Sequence, residues 1–288
     1  MTAPHPPARF VRVDGVPLHV VVEGAGPVVV LSAGLAMAWF DWDPVAALLV
    51  ARDRTVVRFD RPGHGLSAPA ADPPGAAAEA RRIAGLLDAL GLGGAPVTVV
   101  GHSIAGFHAE AFARLYPERT AALVLVDSSV EEAPRTLLPA ALRTGAARAL
   151  GRAVTAAGLP AALGPALRGA AVRASRAGRA ADPAARDLVR RCYRTGRVWR
   201  GALLENSRYP DTAAELLALR AAHPLEAPAT VLVGHEGPPD DAATGWPGRQ
   251  AALADALGAR FELARPAGHL VMLDRPHQVA RAVLRAAT

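Results

Sequence analysis

The chain has 288 residues, 51% of them hydrophobic and 20% charged, enough to bury one large core with an insertion upon it. A single cysteine, Cys192, excludes an internal disulfide and a cysteine-based metal site, and no segment reaches the ~18 uninterrupted apolar residues of a membrane span. The net charge of +6 contains no lysine and is uneven: between residues 133 and 208 fifteen arginines face only Asp182, Asp187 and Glu205, a balance of +12 that leaves −6 elsewhere.

The N-terminal residues, Met-Thr-Ala-Pro-His-Pro-Pro-Ala-Arg, lack the apolar stretch of a secretion signal, so a soluble, cytoplasmic protein is expected. Apolar runs at 9–13 and 18–22 flank Asp14-Gly15, a hairpin signal, and a third run at 28–31 follows the Gly24-Ala25-Gly26-Pro27 turn. Further strands are expected at 56–59, 97–100, 123–126, 230–233 and 261–263, separated by helical patterns such as 76–90 and 250–257. Their nearly continuous apolar and β-branched content suits strands buried on both faces, the mark of a parallel sheet covered by helices. The fold class is therefore α/β, with an antiparallel start leading into a mostly parallel central sheet flanked by helices.

Between residues 126 and 230 the strand rhythm stops for about a hundred residues, too long for an ordinary connection. Pro160, Pro165 and Pro183, together with glycines at 145, 151, 158, 164, 169 and 178, are expected to cut this stretch into short helices. The reading is a core domain of residues 1–132 and 209–288 with a helical cap or lid, 133–208, inserted over the C-terminal edge of the sheet, where open α/β sheets place ligands. Its arginines read as solvated helical faces. No aromatic-interleaved basic stripe or nucleic-acid motif accompanies them, so the expected partner is a small-molecule substrate and not a nucleic acid.

Chemistry enters at Gly101-His102-Ser103-Ile104-Ala105-Gly106, which follows the run Val97-Thr98-Val99-Val100 and opens an alanine-rich helix. A sharp strand-to-helix turn projects a serine hydroxyl clear of the sheet, and small neighbours let the backbone cross itself. Ser103 is thus the candidate nucleophile. Its structural alternative is an N-cap of the helix over 104–115. A serine needs a base, and Ala267-Gly268-His269-Leu270, directly after the last expected strand, supplies His269 at the same sheet edge. Other histidines have weaker claims: His64 lies in a glycine-rich loop after Asp60, His102 is inside the elbow and points aside, and His235 and His277 open a loop and a helix.

Together these residues resemble the α/β-hydrolase superfamily, and the resemblance covers nearly the whole chain outside the cap. Four ordered segments carry it: Leu31-Ser32-Ala33-Gly34-Leu35 with Trp42 downstream; Phe59-Asp60-Arg61-Pro62-Gly63-His64-Gly65-Leu66-Ser67; the elbow, whose fifth position is Ala105 with the glycine one later at Gly106; and Gly268-His269-Leu270-Val271-Met272-Leu273-Asp274-Arg275-Pro276. The resemblance implies backbone N–H groups of Leu35 and Ile104 as oxyanion donors, although Ala33 stands where similar proteins often have histidine. It also implies an acid between serine and histidine in the chain. Asp127, closing the 123–126 strand, is the first candidate, as in a subset of the superfamily to which Trp246, Gln250 and Leu253 also point; Asp240 or Asp241, and then Glu236, are the alternatives. The implied activity is a serine hydrolase with no cofactor or metal, acting on a small-to-medium, mostly apolar ester or related acyl substrate. An acyltransferase, lyase or biosynthetic cyclase on the same groups, or a ligand-binding protein on this scaffold, is the alternative.

Overall fold

The computed structural model describes residues 8–238 and 245–286. Among the described residues eight strands form one sheet: β1 (Ala8–Val13), β2 (Val16–Glu23), β3 (Val28–Ser32), β4 (Thr55–Phe59), β5 (Val97–His102), β6 (Thr120–Val126), β7 (Ala229–Gly234) and β8 (Arg260–Ala264). They lie side by side in the order β1-β2-β4-β3-β5-β6-β7-β8. The β1–β2 and β2–β4 pairs are antiparallel and the remaining pairs parallel. Asp14 and Gly15 both adopt positive φ, 49° and 78°, which matches the twist of the flanking hairpin strands.

Alternation along the central strands divides the core into two layers. Val30, Val99, Leu123, Leu125 and Val231 point to one face, where α2 (Ala76–Leu90), α3 (Ala105–Leu115) and α8 (Gly245–Leu257) cover them with Ile83, Leu86, Phe107, Phe112 and Leu253. Val29, Leu31, Val100, Val124, Val126 and Leu232 point to the other. There α1 (Asp43–Val50), α9 (Val271–Asp274) and α10 (Pro276–Ala286) supply Val45, Leu49, Met272, Val279 and Val283. Strands buried on both faces explain why their sequences are apolar runs and not alternations.

Between β6 and β7 four helices follow one another: α4 (Ala140–Ala156), α5 (Leu159–Ser175), α6 (Arg186–Tyr193) and α7 (Gly196–Ala222). Three of them are longer than the sequence pattern predicts. Pro160 sits in the first turn of α5, where its missing N–H costs nothing, while Pro165 in α5 and Pro210 in α7 lie inside continuous helices. Gly151 and Gly164 mark close crossings inside helices, and Gly196, the first residue of α7, makes another. A Cβ at Gly164 would fall 1.8 Å from the Tyr193 carbonyl oxygen, one at Gly151 2.8 Å from Arg200, and one at Gly196 2.3 Å from Thr155. Tertiary packing therefore overrides the local breakers. The excursion seats on the core through Leu188, Val189, Cys192, Tyr193 and Val198, which pack on Val21, Trp39 and Phe40. Cys192 is a packing residue whose thiol burial pushes up to about 12. Among the described residues no helix is long and apolar enough to cross a membrane.

Candidate functional site

The parallel strands all end at one edge, and each chemically interesting residue stands just past such an end. Ser103 follows β5 with φ of +53°, a conformation a non-glycine residue holds only when its surroundings enforce it. Its N–H donates to the Val126 carbonyl at 3.3 Å, and its carbonyl accepts from Gly106 at 2.9 Å and Ser129 at 3.0 Å. The crossing leaves no room for side chains: a Cβ at Gly101 would meet the Ala105 carbonyl oxygen at 2.3 Å, and one at Gly106 would meet Ser128 Oγ at 1.9 Å. That second contact explains why position 106 is glycine. The helix α3 begins at Ala105 with no side-chain cap bond, so Ser103 is not serving as its cap.

Asp127 follows β6, also at positive φ (43°), and its side chain is buried. Oδ2 accepts from His269 Nδ1, while Oδ1 accepts from Trp246 Nε1 at 2.9 Å and from the Gly234 N–H at 3.3 Å. The β7 end and α8 thus hold the carboxylate that β6 presents to the loop after β8. This loop is pinned in turn by Asp274, whose carboxylate accepts from Gly268 N at 3.0 Å, Ala177 N at 2.8 Å and Arg176 Nε at 2.7 Å. His269 itself is 39% exposed. Of the alternative acids, Glu236 accepts from the Gly178 N–H at 3.4 Å and Asp240 and Asp241 lie outside the described residues.

Gly34 brings the turn after β3 against the elbow: a Cβ there would be 3.1 Å from Ser103 Cβ and 2.7 Å from His102 Nδ1. The following N–H of Leu35, like that of Ile104, donates to no acceptor among the described residues. His102, buried, donates from Nε2 to the His269 carbonyl at 2.9 Å; burial, with His269 alongside, holds its imidazole well below the ordinary range and so neutral.

Sequence reading missed what holds the Leu35 turn. Arg61 donates to the carbonyls of Ala33 and, at 3.0 Å, Gly34, and its other edge makes a bidentate pair with Glu205 of α7 at 2.9 and 2.8 Å. Burial alone would raise Glu205, but Arg61, with His64 at 3.3 Å, holds it well below the usual carboxylate range. Asp60, in the same segment, accepts from Trp39 N and Leu66 N, and Gly65 must lack a Cβ because one would lie 2.1 Å from the Asp60 carboxyl carbon. The glycine-rich segment at 60–67 is thus a structural junction beneath the turn.

Ser103, His269 and Leu35 share one cavity of about 590 Å³, whose walls include Met37, Val172 and Leu270. Helices α5 and α7 contribute Leu167, Trp199, Leu203 and Asn206. Arg168, the one arginine among the described residues of this wall, is neutralised by Asp41 at 2.5 Å and Asp182 at 2.8 Å, so the chamber is mostly apolar, with Asn206, Ser175 and Tyr193 among its polar lining.

A sheet of this order, with a serine at the apex after β5 and a histidine past β8, defines an α/β-hydrolase fold. The chain belongs to the alpha/beta hydrolase family, whose model matches residues 13–282. It is similar to the protein named "Putative carbamate hydrolase RutD" of Azorhizobium caulinodans, with 34% identity over 110 residues, 38% of this chain and 40% of that protein. Similar solved structures include Cfl2 from Burkholderia cenocepacia (TM-score 0.75, 23% identity, 98% of this chain and 95% of that one). A thermophilic esterase from Thermogutta terrifontis (TM-score 0.71, 23%, 98% and 100%) and the enol-lactonase from Burkholderia xenovorans LB400 (TM-score 0.64, 24%, 96% and 98%) share the architecture.

Proposed function

We propose that this protein is a serine hydrolase that cleaves a small-to-medium, mostly apolar ester or related acyl substrate through an acyl-enzyme. The carrying observation is the buried Asp127 carboxylate bonded to His269 Nδ1, at the cavity that also receives Ser103 from its positive-φ turn. In this reading His269 Nε2 takes the Ser103 proton as the oxygen attacks the carbonyl carbon. Asp127 fixes the imidazole tautomer and stabilises its cation. Negative charge on the former carbonyl oxygen is met by the N–H groups of Leu35 and Ile104, and collapse expels the leaving group with a proton from His269. Water, deprotonated by the same histidine, then releases the acid and restores Ser103. The helical segment 133–208 serves as a cap: its apolar wall, with Arg168 already neutralised, suits an uncharged acyl chain.

A fluorophosphonate probe followed by peptide mapping tests the reading. Labelling on Ser103, lost in Ser103→Ala with the melting temperature unchanged, is the expected result, alongside turnover of short-chain p-nitrophenyl esters. Labelling at Ser32, Ser67 or Ser129 with undiminished stoichiometry would overturn the assignment.

A further inference from the structure

We propose that the outward faces of α4 and α5 form a docking surface for an anionic lipid membrane. Among the described residues, the large hydrophobic side chains left exposed are Phe10 and seven leucines, and all seven leucines fall between positions 137 and 167. Thr144, Ala147 and Gly151 turn one side of α4 toward the protein. Helical spacing puts Leu142, Ala146, Ala149 and Ala153 on the opposite side, and all four are exposed. The next helix repeats the arrangement: Pro160, Gly164, Arg168 and Val172 are inward, while Leu159, Leu163, Ala166 and Ala170 are exposed. Surface helices ordinarily turn charge outward, and this pair turns leucine and alanine outward.

Charge identifies the occupant. No acidic residue occurs between 133 and 181. Arg148, Arg152 and Arg173 are exposed on these two helices without a carboxylate partner among the described residues; Arg148 donates only to the Ala71 carbonyl, at 3.3 Å. An apolar helix face edged by arginines fits the interface of a bilayer. Its leucines enter the acyl boundary while the guanidinium groups reach the phosphates. A twofold contact with a second copy would press these two acid-free helices against themselves, opposing like charges, since Asp182, which shares a groove with Ala166, Ala170 and Arg173, is already paired with Arg168. Leu167, 50% exposed, also lines the cavity beside Ser103, so the docking face runs directly into the chamber wall.

Cosedimentation of the purified chain with vesicles measures this without using the hydrolase reading at all. Binding to phosphatidylcholine vesicles containing phosphatidylglycerol, weak binding to phosphatidylcholine alone, and loss of binding with added salt are expected. Replacing Arg148, Arg152 and Arg173 together by glutamine lowers affinity on the order of a hundredfold, at about fivefold per arginine. Leu142→Gln with Leu163→Gln lowers it about tenfold or more. Both variants keep the wild-type melting temperature. No vesicle binding, equal affinity for the two lipid compositions, or variants that bind like wild type would each overturn the proposal. So would a dimer in analytical ultracentrifugation that the leucine substitutions dissolve while vesicles are ignored, since a second copy would then be the occupant.

Discussion

The sheet's C-terminal edge and the helical excursion are held in different ways. At the edge, backbones approach so closely that Gly34, Gly65, Gly101 and Gly106 have no room for a methyl group. Ser103 and Asp127 are fixed at positive φ by the surrounding bonds. In the excursion such close approaches are confined to the places where helices cross, at Gly151, Gly164 and Gly196, while on its outer side Gly145 and Gly169 have nothing within 4 Å of where a Cβ would go and leucines face outward. Its attachment runs through packing at α6 and a few buried charges, chiefly Arg61 with Glu205 and Arg168 with Asp41. The contrast teaches where sequence change is tolerated: the proposed catalytic groups sit where backbone geometry is over-determined, and the proposed substrate wall sits where side chains are replaceable.

The largest expected effect comes from breaking the edge at Asp127. Asp127→Asn keeps the bonds from Trp246 and Gly234 to one oxygen but presents an amide to His269, favouring the wrong tautomer. A kcat loss of ~10³–10⁴-fold with an unchanged melting temperature is expected from ester kinetics and calorimetry. A loss under tenfold would move the acid to the loop holding Asp240 and Asp241.

Glu205→Gln tests the seam between the two regions. It removes the charge facing Arg61, which also holds the Ala33 and Gly34 carbonyls ahead of Leu35. Breaking such a pair costs ~3 kcal/mol. A drop of about tenfold in kcat with KM nearly unchanged is expected if the turn serves the transition state. A purely structural pair would lower the melting temperature and leave kcat per folded molecule intact. The pH dependence has a definite sign. Because the folded Glu205 carboxyl lies below its ordinary 4.5, its stabilisation is complete above that value and is lost as pH falls through the folded one. Wild type and variant therefore converge in melting temperature in acid.

Much of the edge was legible because its signals are local. The β runs, the Asp14-Gly15 turn and the small residues around Ser103 each describe conformation within a few positions. Trp246 hinted at Asp127, and its indole N–H does bond that carboxylate. The excursion was less legible for the same reason in reverse. Pro165 and Pro210 are local breakers overruled by packing, and the partner of Arg61 lies 144 residues away with no periodicity to announce it. Arg168 is equally silent: among fifteen arginines nothing local separates it, or the partly buried Arg143 and Arg176 with their carboxylate partners, from the solvated ones.

Two glycine substitutions sharpen the comparison at its smallest scale. Gly101→Ala drives a Cβ against the Ala105 carbonyl and is expected to cost ~3 kcal/mol, at the upper end of overpacking, lowering the melting temperature by several degrees. Gly145→Ala makes the same chemical change in the exposed middle of α4, where the new methyl meets nothing. There only the unfolded chain's lost freedom counts, because glycine gives up more conformational entropy than alanine on entering a helix. A gain of ~0.5–1 kcal/mol is expected, or roughly 1–4 °C in thermal melts. Since Gly145 touches neither the cavity nor its walls, ester kinetics stay at the wild-type value. Destabilisation by Gly145→Ala would mean that α4 packs against something in solution and that the two regions are held more alike than their glycines indicate.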